Sequence, residues 1–258
     1  MSTGERTAAD AAARDLGSPT RDDAVDDRTP HEVRSLSSIT TYRQALRVFF
    51  SRPGPRTIAG CAGLSWLARA ALGPPGLGEP LIVATVVAWW PLQEWLMHKH
   101  LLHLRPTATP LGTFDPMFSR RHRWHHRHPD DVDGTLLPPP VVHASMPASA
   151  AIFLLLLGPR RRTITAFAAY STMALVYEWT HFIVHTGVRP EHDYVKALRR
   201  NHLLHHYRSE AYWLGFTAPI VDDLFGTNPD PATVPRSKTA MDLHGLATVA
   251  ETAGEASP

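Results

Sequence analysis

Ten of the sixteen histidines in this 258-residue chain fall into four short clusters. His98 and His103 stand in HKHLLH, and His122, His125 and His126 in HRWHH. His181 and His185 stand in HFIVH, and His202, His205 and His206 in HLLHH. Residues three and four apart lie on one side of a helix, so each HxxHH cluster gathers its imidazoles on one face. His181 and His185 are one helical turn apart. His98 and His103, five residues apart, fit a helix that loosens at its end. Imidazole is a good ligand for iron and zinc, and ten rings would serve two metal ions with about five each.

A lone histidine is usually a surface residue or a satisfied core residue. Two HxxHH clusters in one chain are not expected by chance at this histidine content. His31, His100, His128, His143, His192 and His244 lie outside the clusters. Of these, His100 and His128 stand close enough to be spare or supporting ligands. There is no HExxH, which argues against a zincin protease. Glu178 and His181 form one Glu-x-x-His pair, where a ferritin-like di-iron bundle needs two. Glu94 and Glu178 each precede a histidine by about one turn, a position from which a carboxylate can orient a ligand.

Four apolar stretches alternate with these clusters: Thr57 to Gly73, Leu81 to Leu92, Val141 to Gly158, and from Ile164 into His181 and His185. None reaches the roughly 20 apolar residues of a spanning helix without a polar interruption, and Arg69 breaks the first. They fit either a buried soluble bundle or two membrane hairpins with projecting inner ends. GPPGLGEP at 73–80 and GPRRR at 158–162 are suitable hairpin turns. The expectation taken here is the membrane one: an all-α bundle of about four transmembrane helices under a His-rich helical cap. The larger arginine excess lies on the histidine side, which places the cap in the cytoplasm, although Arg160, Arg161 and Arg162 oppose that tendency.

Residues 1–40 are polar and lack an apolar period, so they are expected to be a disordered tail. The membrane domain is expected over 41–227, with a polar, proline-rich tail over 228–258. The net charge of +2 gives no reason to expect nucleic acid as a partner. The single cysteine, Cys61, excludes an intrachain disulfide or a CxxC metal site.

The order HX4H, HX2HH, HX3H, HX2HH resembles the fatty acid hydroxylase superfamily, and most nearly its fatty acid 2-hydroxylase branch. The gaps are similar as well: eighteen residues separate His103 from His122, and sixteen separate His185 from His202. HRWHHRHPDDVDGTLLPPP, YEWTHFIVH and LGFTAPIVDDLFGT resemble the family's flanking segments. The resemblance covers roughly residues 80–227. Val221 stands where these enzymes usually have Trp, and Leu214 where they often have Phe.

The resemblance implies two iron ions ligated by all ten cluster histidines, with zinc able to occupy the same sites. It implies O2 activation and hydroxylation of a lipid-like substrate, a fatty acyl chain first of all. Glu94, Glu178 and Asp222 are the expected supporting carboxylates. A carotenoid or terpenoid hydroxylase and a lipid desaturase are the enzymatic alternatives, and a membrane metal-binding or transport protein the non-enzymatic one. The chain shows no flavin, nucleotide or iron–sulfur fingerprint. Electrons are therefore expected from a separate donor such as a ferredoxin and its reductase. That donor would dock on Arg120, Arg121, Arg123, Arg127, Arg199 and Arg200.

Overall fold

The computed structural model describes residues 29–158 and 161–246. Among the described residues the fold is mostly helical, with one two-stranded antiparallel hairpin, β1 (Thr107–Thr109) and β2 (Gly112–Phe114). Helix α1 (Tyr42–Ser51) opens with a capping box in which Thr41 and Gln44 satisfy each other's free backbone N–H groups. Helix α2 (Pro53–Ala71) begins on a proline, whose missing N–H costs nothing there. Helix α3 (Gly78–Met97) runs into a π-helical turn, His98–Leu102. The cap follows as α4 (Met117–Arg127) and α5 (Val132–Thr135). A second long pair, α6 (Pro139–Leu157) and α7 (Arg161–His185), then leads to α8 (Asp193–Tyr207) and α9 (Ile220–Leu224).

Helix α7 is the spine, packing against α2, α3 and α6. Its first half buries only small side chains: Thr165, Ala166, Ala168, Ala169, Ser171 and Ala174. Small residues let helix axes approach closely where neighbouring helices must meet without bulky interdigitation. The hairpin turns fall where glycine permits a left-handed backbone, at Gly73 (φ +87°) and Gly158 (φ +73°). Arg69, which interrupts the first apolar stretch, is neutralised there. Its guanidinium pairs with buried Glu79 at 2.5 Å, and Glu79 also accepts from Thr165 of α7. Removing either partner would leave a buried charge uncompensated.

Among the described residues, only the segment Val132–Leu157, which contains α6, is long and apolar enough to cross a membrane by composition alone. The other three long helices match the expected hairpins in position but carry buried polar side chains. Large apolar side chains are exposed on α2 (Leu64, Leu67), α3 (Leu81, Trp89) and α6 (Ile152, Leu155, Leu156).

Both expected tail boundaries need correction. Residues 1–28 lie outside the described residues, but 29–40 are packed. Val33, Leu36 and Ile39 are buried in one cluster with Phe49, Val132 and Phe182. The Leu36 amide donates to Asp130 O, and Leu36 O accepts from the Gly187 amide. Three apolar residues at a spacing of three were enough to seat this segment between α1 and α7. At the other end, 228–246 wraps back over the cap and buries Val234, Ala240 and Leu243. Residues 247–258 lie outside the described residues.

Candidate metal centre

The ten cluster histidines meet at the cap ends of α3 and α7 and on α4 and α8, in two groups. The first holds His98, His103, His122, His126 and His205; the second holds His125, His181, His185, His202 and His206. Within each group, one ring nitrogen from every residue lies within 4.8 Å of all the others.

The split cuts across the sequence clusters. Each HxxHH cluster gives its first and last histidine to one group and its middle one to the other. Helix geometry explains this. At 3.6 residues per turn, i+4 lies about 40° to one side of i, and i+3 about 60° to the other. Residues i and i+4 therefore converge, while i+3 aims at the neighbouring site. The HX4H spacing needs a different backbone, which the π-helical turn supplies. There the His103 amide donates to His98 O, five residues back, and the two rings stand 4.7 Å apart. Single π turns are often found at functional sites.

The outer nitrogens fix what the inner ones can do. Nδ1 of His98, His126 and His205 contacts the carbonyls of Leu214 (2.7 Å), Ala240 (2.7 Å) and Tyr212 (2.8 Å). A carbonyl only accepts, so each Nδ1 carries the proton and each neutral ring turns a bare Nε2 lone pair inward. His126 Nε2 and His205 Nε2 nevertheless lie 3.2 Å apart, with no proton left to share. In the second group, Thr135 Oγ1 donates to Asp131 O and so accepts from His125 Nδ1 at 3.2 Å. That leaves His125 Nε2 bare, 3.1 Å from His181 Nε2. Converging lone pairs repel unless a cation lies among them. The donor set fits a metal ion in each group.

Burial, reinforced by the neighbouring imidazoles, holds His98, His103, His122, His125, His126, His202 and His206 well below the ordinary imidazole range. Burial takes His205 to about 4, against an opposing hydrogen bond at Tyr212. These rings are neutral near pH 7, the form that coordinates a metal.

The three expected carboxylates bond the loops that frame the site. Asp222 accepts from the amides of Leu214 (3.0 Å) and Gly215 (2.8 Å), and so holds the Leu214 carbonyl against His98. Glu94 accepts from the amides of Phe216 and Thr217 and from the Thr217 hydroxyl. Glu178 is fully buried and accepts from the Leu137 amide at 2.9 Å, while its other oxygen has no partner. His100 and His128 are exposed and belong to neither group; His128 stacks on Trp124.

Sequence reasoning passed over Phe216, whose buried ring touches His98 of one group and His181 and His202 of the other. It also passed over Thr135 and the carbonyls of Tyr212, Leu214 and Ala240. Phe216 and Thr135 lie in the segments flanking the clusters, which was the one available signal. A carbonyl belongs to every residue and leaves no signal at all. A cavity of about 30 Å3 reaches His122 of the first group and His125 and His181 of the second.

The arginines expected to dock an electron donor do not form one open face. Arg123 is buried and bidentate on Asp115 at 2.6 and 2.7 Å. Arg121 and Arg199 are partly buried and hold backbone carbonyls, while Arg120, Arg127 and Arg200 are exposed.

With this geometry in view, residues 83–227 match the model of the fatty acid hydroxylase family. The chain belongs to that family. It is 31% identical over 170 residues to the dihydroceramide fatty acyl 2-hydroxylase FAH2 of Arabidopsis thaliana, covering 66% of this chain and 68% of that one. It is 29% identical over 143 residues to the fatty acid 2-hydroxylase of Homo sapiens, covering 54% of this chain but 37% of the human protein. A solved structure of full-length scs7p, with only the hydroxylase domain visible, shares the fold at a TM-score of 0.56 and 21% identity. That match covers 77% of this chain and 70% of the other.

Proposed function

We propose that this protein is a membrane-embedded oxygenase that hydroxylates a fatty acyl lipid with O2 at two iron ions held by the ten histidines. The observation that carries this reading is the pair of adjacent groups of buried, neutral imidazoles with bare nitrogens facing inward. Membership in the fatty acid hydroxylase family supports an acyl lipid as substrate. Relatives named for 2-hydroxylation favour it over desaturation or carotenoid hydroxylation.

The reaction balances as follows. One oxygen atom of O2 enters a C–H bond of the acyl chain. The other leaves as water, with two electrons and two protons supplied from outside. Bound iron would supply the O2 chemistry. The chain's own residues do the rest. His98, His126 and His205 keep their Nε2 atoms inward because three carbonyls hold Nδ1. Phe216 covers both groups with an apolar face and keeps water from the imidazoles. Asp222 and Glu94 fix the loop that carries Phe216.

In this reading α2, α3, α6 and α7 lie in lipid, and the exposed apolar side chains of α2, α3 and α6 are the lipid contact. The cap faces the cytoplasm, where a ferredoxin-type carrier could reach it. The test is incubation of the iron-loaded protein, a reductant and an acyl lipid under labelled O2 gas. Label should appear in the product hydroxyl group. Label arriving only from water would rule out an oxygenase.

A further inference from the structure

The small cavity beside the histidines adjoins a larger one. Arg121, Leu136, Leu137 and Pro138 line both. The outer cavity, about 280 Å3, lies between the first residues of α2 and α6. The inner one, about 30 Å3, has room for one or two water-sized groups. It can admit a bend of an acyl chain but not a length of it.

Arg121 stands at this junction with spare capacity. Its Nη2 donates to Asp133 O at 2.7 Å, but its Nε is buried and has no partner. Arg52, the other cation of the outer cavity, differs. It donates to the carbonyls of Pro30, His31 and Val33 and lies 2.9 Å from Asp133 Oδ1. Arg34 takes the other oxygen of Asp133. Among the described residues, Arg121 is in no ion pair. A buried N–H on a fixed charge without an acceptor is costly, and an oxygen arriving with a ligand would relieve that cost.

We propose that Arg121 is a substrate-positioning residue whose Nε–H binds the carbonyl oxygen at the head of an acyl chain, as a carboxylate or an amide. This deepens the hydroxylase reading and rests on it. With the head pinned at the junction, only a carbon within a bond or two of the carbonyl can dip into the inner cavity beside His122, His125 and His181. The rest of the chain must turn back through the outer cavity. The contact therefore selects a carbonyl-headed chain and sets which carbon is presented.

The test uses the full-length, metal-loaded protein and its Arg121→Met and Arg121→Lys variants. Three probes of equal chain length are compared: a saturated fatty acid, its primary amide and the alkane. Metal content per chain is measured in parallel. Arg121→Met should weaken the acid, the amide or both by roughly tenfold or more and leave the alkane unchanged. Loss on the acid alone identifies a free carboxylate as the head; loss on both identifies the carbonyl itself. Arg121→Lys should recover part of the acid affinity. In turnover, Arg121→Met should raise KM more than it lowers kcat and scatter the hydroxyl group over several carbons. Unchanged affinity for both headed probes, or an unchanged hydroxylation position, would overturn the proposal. Should Arg121→Met fail to retain metal, Leu137→Trp serves instead. It fills the shared neck and should exclude the acid and the amide; undiminished binding would refute the route. Binding is read without turnover. A parent protein that binds the probes through Arg121 but transfers no oxygen would overturn the oxygenase reading and leave this contact standing.

Discussion

The two histidine groups are equal in number and similar in burial, yet they are supported differently. In the first, three rings are locked by backbone carbonyls from Leu214, Tyr212 and Ala240. In the second, His202 Nδ1 and His206 Nδ1 are buried without a partner, His125 leans on a single hydroxyl, Thr135, and His181 has one backbone partner, also at Thr135. The second group also gives two rings to the inner cavity, His125 and His181, against one from the first, His122. Partners of a ligand's outer nitrogen set its orientation and basicity. The first group is thus built to hold a metal in one geometry. The second has fewer of its outer nitrogens held by carbonyls, and it faces the inner cavity with two rings.

The largest expected effect comes from removing a ligand. Ala in place of His122, His126 or His205 should empty the first site, and Ala in place of His125, His202 or His206 the second. Every such variant should lose essentially all product, since the proposed reaction uses a metal in each group. Metal analysis should find about half the parent content in each. Loss of both metals from any single substitution would show that the groups are one coupled cluster rather than two sites.

Removing a support should cost less and should act on one group only. Thr135→Val leaves His125 Nδ1 without its acceptor, and metal affinity of the second site should fall roughly 10- to 100-fold. Deleting residues 228–258 removes the Ala240 carbonyl from His126 together with the packing of Val234 and Leu243, and should lower the affinity of the first site by at least a similar factor. Deleting 2–28 should change neither. Competition with a graded chelator series measures each step. If Thr135→Val weakened the first site instead, the asymmetry between the groups would be wrong.

These asymmetries mark the limit of what the chain shows on its face. The ten histidines and the two hairpins were legible because spacing on a helix is a one-dimensional record of a shared face. The division into two fives was not read correctly: all three imidazoles of each HxxHH cluster were expected on one face, whereas the opposed offsets of i+3 and i+4 send the middle ring of each cluster to the other group. The carbonyl supports were not legible, because Ala240 reaches His126 across 114 positions and nothing about an alanine marks its carbonyl. The packed segment at 29–40 was missed because Val33, Leu36 and Ile39 are sparse among polar neighbours, and only the groove beside Phe49 and Phe182 gives them a place. Arg123 looked like surface charge, and Asp115, eight residues earlier, turns it inward.

The metal-free protein offers a smaller effect that probes both groups together. An unfolded histidine titrates near 6.5, whereas His205 in the fold titrates at about 4 and its cap neighbours are also depressed. Below about pH 6.5 the unfolded chain therefore takes up protons that the folded chain refuses. Stability of the metal-free protein should be greatest above that pH and fall as pH drops from about 6.5 toward 4. Thermal unfolding in detergent across this range checks it. The metal-loaded protein should show a flatter profile until protons displace the ions. A metal-free profile that is flat to pH 5 would mean the rings are solvated in solution.

The smallest effect concerns electron delivery, and here the structure narrows the expectation. Of the six arginines expected to dock a donor, Arg123 is consumed by Asp115, while Arg121 and Arg199 hold backbone carbonyls. Exposed positive charge remains at Arg120, Arg127 and Arg200. Arg120 and Arg127 lie on α4, which carries ligands of both groups; Arg200 lies on α8, next to Asn201 and His202. Three exposed charges steer an acidic carrier weakly, and steering of this kind is screened within a Debye length of about 8 Å at physiological salt. Turnover driven by a ferredoxin should therefore fall only a few-fold between low and physiological ionic strength. Turnover driven by a small chemical reductant should hardly change. Charge reversal at Arg120 and Arg127 should slow the protein-driven reaction alone, whereas reversal at Arg123 should disturb the fold by leaving Asp115 facing a like charge. Equal salt sensitivity with both reductants would remove these arginines from the electron path and leave the exposed cations of the cap to lipid headgroups.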